Sequence, residues 1–309
     1  MVTQVSDEEY RRYCEARGLS PDPASYTTME LLAIAVARNI PDGAFMFAGT
    51  GLPLLGSMLA LHTSAPGATL IMEAGIVGPT VEHLPISVSD PRGCLRGSTV
   101  TNMADTFGTT AQRGYCTLGI LGAAECDRYG NLNSTAIGEY WPGGVSSSGR
   151  GPKVRFAGSG GANNIASLAD MTIVMMVMED RRFPEKVQYR TSVAGNLGPP
   201  GETKADYGLP RGGPCVMISD LCIMRNDPPK DNELKLEMIY PGVELGDVLE
   251  NVSWELRTVD GKKATARTKV KVMDPPAHEE LKILRTIVDP ERIYLGRKSR
   301  RELARESKA

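Results

Sequence analysis

Apolar residues recur along this chain at helical and at strand spacing, and the two periods alternate. Ser6 and Glu9 stand at capping-box spacing ahead of DEEYRRYCEAR, which predicts a short helix able to stop at Gly18. Pro21 and Pro23 then break the chain, so residues 1–26 read as a helical extension. Thr27 and Glu30 repeat the capping signal in front of the apolar-faced helix MELLAIAVARNI, and PDG at residues 41–43 reads as a turn. AFMFA is a short apolar strand. GTGLP is a glycine turn with Pro53 placed for a helix's first turn, LPLLGSMLALH is a crossover helix, and TLIME is the next strand. A right-handed crossover makes those two strands parallel. Gly49, Gly51 and Glu73 then share the edge formed by the strands' carboxyl ends, where open α/β sheets bind ligands.

A second strand–glycine–helix–strand unit is expected downstream: KVRFA, the turn GSGGA at residues 158–162, the helix NNIASLAD and the strand MTIVMMVM. The last is apolar throughout, as a strand covered on both faces would be. TLGILGAAE between the two units reads as another buried strand, followed by the turn DRYGNLN. CVMISDLCIM and ELKLEMIY read as strands, VELGDVLENV and HEELKILRTIV as helices, and residues 296–309 as a charged, solvated tail. The pattern predicts an α/β fold, an open and mostly parallel sheet with helices on both faces, as one domain over residues 27–295.

Composition narrows the function. Lys plus Arg number 35 and Asp plus Glu 37, a balance without the basic footprint of a nucleic-acid binder. The mean hydropathy of -0.21 and the absence of any long apolar run argue against a membrane span. Acids occupy the start of the chain where a signal peptide would be apolar, so the expected location is the cytoplasm. Six Cys are scattered without CxxC spacing, and the three His lack HxxxH spacing, so no metal site is expected.

The glycine turns fail the strict dinucleotide fingerprint, because Leu54 and Asn163 stand where a third glycine belongs. Their backbone N–H groups remain suited to an anion or a developing oxyanion. Glu73 ends an apolar strand and is followed by the small Ala74 and Gly75. A carboxylate in such a crevice is either a raised-pKa or nucleophilic group, or else a helix N-cap or surface ion pair, and composition does not separate these.

FAGTGLPLLGS, LIMEAGIVGP, LGAAECDRYGNLNSTAIGEY, RFAGSGGANNIAS, MEDRRFPEKVQYRTS and DPPAHEELKILRTIVDPERIY occur in an order and spacing that resemble the β subunit of family I CoA-transferases, the glutaconate enzymes above all. The resemblance spans about residues 27–295 and implies the sheet architecture shared by that superfamily. It implies that Glu73, in MEAG, is the nucleophile that becomes a glutamyl-CoA thioester. It implies that the amide of Gly161 is an oxyanion donor, with Gly160 and Ala162 beside it. Gly160 and Ala162, and Gly49 and Gly51 at the sheet edge, are the expected substrate- or CoA-binding backbone. Asn133 in DRYGNLNST reads either as local turn chemistry or as a contact to substrate or CoA, and Arg181, Arg182 and Lys186 either as phosphate contacts or as interface and surface pairs. Ketoacid-type relatives carry Asn just before the first glycine turn, whereas Phe47 and Ala48 stand here, which leaves the rest of the oxyanion hole unassigned. The implied substrates are an acyl-CoA and a carboxylic acid, a glutaconate-like dicarboxylate first, with no tightly bound cofactor. The implied partner is an α subunit on another chain. The alternatives are a subunit of an acyl-CoA or ring-cleaving hydrolase of the same fold, and a non-catalytic ligand-binding or scaffolding subunit.

Overall fold

The computed structural model describes residues 5–81, 84–140, 151–209, 211–228 and 231–297. The chain divides into two compact units, one running through Thr106 and resuming at Asp274, the other spanning Phe107–Met273. Most of the charged tail, residues 298–309, lies outside the described residues.

Both capping boxes form. Ser6 Oγ accepts from Glu9 N at the head of α1 (Asp7–Ala16), and Thr27 Oγ1 accepts from Glu30 N at the head of α2 (Thr28–Arg38), in each case with the glutamate reaching back to the cap's N–H. Next come β1 (Phe45–Ala48), α3 (Leu52–His62) and β2 (Thr69–Met72), and β1 and β2 pair in parallel with Phe45 opposite Thr69. This is the expected βαβ unit. β2 turns back antiparallel into β3 (Ile76–Val77), which pairs with β4 (Thr99–Val100), and the short α4 (Met103–Thr106) closes the segment.

The second unit holds β5 (Leu118–Gly122), β6 (Glu125–Cys126), β7 (Asn131–Asn133), β8 (Ala136–Ile137), β9 (Val154–Arg155), α5 (Ala162–Leu168), β10 (Met171–Met175), β11 (Ser192–Val193), β12 (Cys215–Ile218), β13 (Cys222–Asp227), β14 (Asp231–Ile239), α6 (Leu245–Leu249) and β15 (Lys271–Val272). β5, β10 and β12 run parallel, and their nearly unbroken buried apolar runs fit strands covered on both faces. β12, β13 and β14 continue the sheet as antiparallel hairpins, and β15 adds a parallel edge. The burial of β14 alternates residue by residue, as a strand with one wetter face should.

One expected element is corrected. KVRFA is not a strand of this sheet: Val154 and Arg155 are both exposed and pair only with β8, in a separate two-stranded ribbon. The second glycine turn therefore leads into α5 and β10 without a parallel strand of its own ahead of it. α5 lies on β5 because residue 119 is glycine; a Cβ there would stand 2.4 Å from Ile165 Cγ2.

The N-terminal extension, read from the sequence as an appendage, is built into the first unit. Tyr10 and Cys14 on α1 are fully buried. α7 (His278–Ile283), extended by a wider turn over Leu284–Val288, carries Arg285, which is 1 % exposed. Arg285 grips Glu30 with Nε and Nη2 at 2.8 and 2.9 Å. It also donates to Tyr10 Oη and to the carbonyl oxygens of Ser20 and Ser25, each at 2.8 Å. Burial alone would raise the Glu30 pKa; the hydrogen bonds and charge of Arg285 outweigh it and hold the carboxyl below its usual range. No helix among the described residues is long and apolar enough to cross a membrane.

Candidate active site

β2 ends at Met72, and residues 73–75 form the tight connection to β3, whose Ile76 pairs back with Met72. Glu73 is thus the first residue past the carboxyl end of a parallel strand, and neither a helix N-cap nor part of a helix. Its position is fixed by Gly75, which has φ +122° and would place a Cβ 2.3 Å from the Thr101 carbonyl oxygen. Gly75 also donates its N–H to Met72 O and accepts from Thr101 N, so the connection is pinned at both ends. Glu73 is half-buried, and among the described residues its carboxylate makes no hydrogen bond or ion pair. A half-buried carboxylate with its acceptors unspent is available for chemistry; one tied into a pair is not.

Gly49, Thr50 and Gly51 follow β1, the parallel neighbour of β2, at the same edge. Gly51 has φ +89° and ψ -140°, a conformation closed to other residues, and α3 begins immediately after it with Pro53 in its first turn. Phe47 is 1 % exposed and belongs to the core.

In the second unit, Gly158 and Gly160 take φ +95° and +51°, which wraps the chain into α5. Gly161 is the N-cap residue of that helix, with φ -74°, and Ala162 is its first residue. Gly161 is buried, yet among the described residues its N–H has no acceptor, whereas Ala162 N bonds Ser159 O. An N–H at the start of a helix that no protein group takes up is open to an acceptor brought from outside the helix.

The block around Asn133 does a different job. Asn133 Nδ2 donates to Glu125 Oε2 and to Ala136 O, both at 2.7 Å, while its Oδ1 accepts from Thr135 N and Ala136 N. The residue is fully buried and its polar atoms are spent, so the side chain acts as turn chemistry and leaves nothing for a substrate. Asp127 similarly collects Tyr129 N, Asn131 N and Asn131 Nδ2, and burial pushes its carboxyl up against those hydrogen bonds. The loop that results supports the glycine turn: Ser134 O accepts from Gly158 N, and Thr135 O from Phe156 N. Thr191 joins it, accepting from Ser134 N through Oγ1 and from Asn163 Nδ2 through its carbonyl. These supports are missed by sequence reasoning, because Ser134 and Thr191 stand 57 residues apart and no spacing rule links them.

Arg181 and Arg182 both reach Glu179, at 2.6 and 3.4 Å, as surface ion pairs. Lys186 instead lines a cleft of about 530 Å³ with Arg128, Tyr129, Arg190, Glu185 and Glu202. Arg128 there is already engaged by Glu185 and Glu233. Five of the six cysteines are buried, Cys94 being exposed. Among the described residues no group of three or more His, Cys, Asp or Glu is arranged to hold a metal ion.

The coenzyme A transferase family model matches residues 29–251. The chain belongs to that family. It is 36 % identical over 264 residues to the β subunit of 3-oxoadipate CoA-transferase from Pseudomonas knackmussii, a match covering 85 % of this chain and 94 % of the relative. It is 34 % identical over 280 residues to the β subunit of glutaconate CoA-transferase from Acidaminococcus fermentans, covering 89 % and 97 %. The crystal structure of that glutaconate enzyme superposes with a TM-score of 0.75 at 32 % identity over 88 % of this chain and 98 % of the other. The decarboxylase AibA/AibB shares the fold at 22 % identity and a TM-score of 0.67, over 87 % of this chain and 98 % of that one. The CoA-transferase chain described here is accordingly a β-type subunit of family I, with the open mixed α/β sheet of that family and CoA transfer as its class of activity.

Proposed function

We propose that this subunit carries the nucleophile of a heteromeric CoA-transferase and that the nucleophile is Glu73. Its carboxylate attacks the thioester carbonyl of an acyl-CoA, forming a mixed anhydride and releasing the CoA thiolate. The thiolate attacks the Glu73 carbonyl, which expels the carboxylic acid and leaves a glutamyl-CoA thioester. A second carboxylate then runs the two steps in reverse and departs as the new CoA ester. CoA is a substrate here, with no tightly bound cofactor. Each addition builds charge on a carbonyl oxygen, and the Gly161 N–H is the donor assigned to it. An α subunit on another chain is the partner, in the cytoplasm, and the first acyl groups to consider are dicarboxylic, as in glutaconate and 3-oxoadipate, which give the two relatives their names.

The observation that carries this reading is the unspent, half-buried Glu73 carboxylate at the open end of the β1–β2 parallel pair. A glutamate kept only for stability would be expected to hold a partner. The test is half-reaction exchange. The chain assembled with its partner subunit and given one acyl-CoA is expected to move label from the free acid into the acyl-CoA with no second acid present. Steady release of CoA without exchange would replace transfer with hydrolysis. Neither exchange nor turnover across a broad acyl-CoA panel would favour a scaffolding role.

A further inference from the structure

Among the described residues Lys204 is the most deeply buried lysine, and the reaction scheme does not use it. It is 2 % exposed, and its Nζ donates to the Ala166 carbonyl at 2.6 Å. No carboxylate pairs with it among the described residues, and burial lowers its pKa to about 8. A buried ammonium without a counter-charge costs stability unless its hydrogen bonds offset the loss of water.

Ala166 lies in the last turn of α5. The helix ends because Ala169 turns to extended backbone, with ψ 144°, and Asp170 N bonds Cys116 O instead of reaching back four residues. That leaves the Ala166 carbonyl without a backbone donor, and the Lys204 ammonium supplies one at the end of the helix where a cation is favoured. The loop is shaped for this contact. Lys204 N is held by Asn196 Oδ1 at 3.1 Å, and Asn196 Nδ2 by Asn232 Oδ1 at 2.7 Å. Residue 212 is glycine; a Cβ there would stand 2.5 Å from Lys204 Nζ and 2.9 Å from the Ala169 carbonyl oxygen. The α5 helix has only seven residues, too few to hold its own geometry, and Gly161 is its N-cap.

We infer that Lys204 is a positioning residue: from the far end of α5 it fixes the helix, and through it the Gly161 amide, in the attitude that oxyanion stabilisation needs. This rests on the reading of Gly161 and Glu73 proposed above.

The test is single-turnover formation of the Glu73 thioester in Lys204→Met, with the chain assembled with its partner subunit and kept well below its melting temperature. A small displacement of a reacting group costs up to about 100-fold, so the rate is expected to fall about 10- to 100-fold. The KM for acyl-CoA and the final extent of thioester should stay near those of the unaltered protein. A folded variant that forms thioester at the original rate, or that loses only KM, would overturn the proposal. If Lys204→Met does not fold, Lys204→Gln is read the same way, since its shorter neutral side chain stops short of the Ala166 oxygen. Absence of any Glu73 thioester in the unaltered protein would refute the nucleophile assignment instead, and this proposal would fall with it.

Discussion

The turn at residues 49–51 and the turn at residues 158–161 each deliver the chain into a helix, but they are held in place differently. The first follows β1, whose parallel pairing with β2 fixes it through main-chain hydrogen bonds. Its shape depends on Gly51, whose backbone conformation other residues do not reach. The second follows β9, which belongs to a small ribbon outside the main sheet of its unit. It is held by side chains and loop carbonyls instead: Ser134 and Thr191 at one end of α5, Lys204 at the other. A turn fixed by sheet pairing is visible in local sequence. A turn fixed by distant polar contacts is not, although in this molecule it holds the Gly161 N–H, which has no acceptor among the described residues.

The largest effect should come from Gly161. Its φ of -74° already suits proline, so Gly161→Pro removes the N–H while keeping the local backbone angle. Gly161→Ala keeps both. The proline variant is expected to lose about 100- to 1,000-fold in kcat relative to the alanine variant, the usual cost of one oxyanion donor, in steady-state assays with the partner subunit. Equal kcat values would remove this turn from the chemistry.

Gly51→Ala sharpens the contrast in stability. The added Cβ would meet only Tyr294 Cε1, at 3.8 Å, so the cost is conformational and not steric. It should be about 1–3 kcal/mol in urea unfolding, whereas Gly161→Ala, at φ -74°, should carry no comparable conformational cost.

A smaller effect distinguishes the side-chain support of the second turn. Lys204 titrates near pH 8 when folded, against 10.5 when exposed. Between those values the unfolded chain holds a proton that the folded chain has released, so folding stability rises with pH across the window. Below pH 8 both states are protonated and the burial cost is fully present. The stability of the unaltered protein relative to Lys204→Met is expected to rise by about 1 kcal/mol from pH 8 to 9, measured as the difference between paired urea titrations. A flat difference would mean that Lys204 does not titrate there.

These contrasts explain what could be read from the sequence. The β1–α3–β2 unit was legible because each element carries its own periodicity and the turns carry glycine and proline. Glu73 stood out as a charge ending an apolar strand, though the hairpin behind it did not show, since β3 is only two residues long. KVRFA misled because a short, partly apolar run fits a ribbon as well as a central strand, and only burial separates them. The two capping boxes placed α1 and α2, but nothing local showed that Arg285 would bind α1 into the first unit, because its partners Tyr10 and Glu30 stand 275 and 255 residues away. Asn133 reads from sequence either as turn chemistry or as a substrate contact; it ends β7, and the complete internal satisfaction of its side chain emerges only from the packing around Glu125 and Ala136.

The most direct test of the account is the mass of the peptide that contains Glu73. The assembled enzyme, incubated with an acyl-CoA in the absence of a second acid and digested at low pH, should carry a CoA-sized adduct on Glu73. Adding a carboxylic acid should discharge the adduct, and Glu73→Gln should never form it. Turnover at the usual rate with Glu73 unmodified, or an adduct that maps to another residue, would contradict the account.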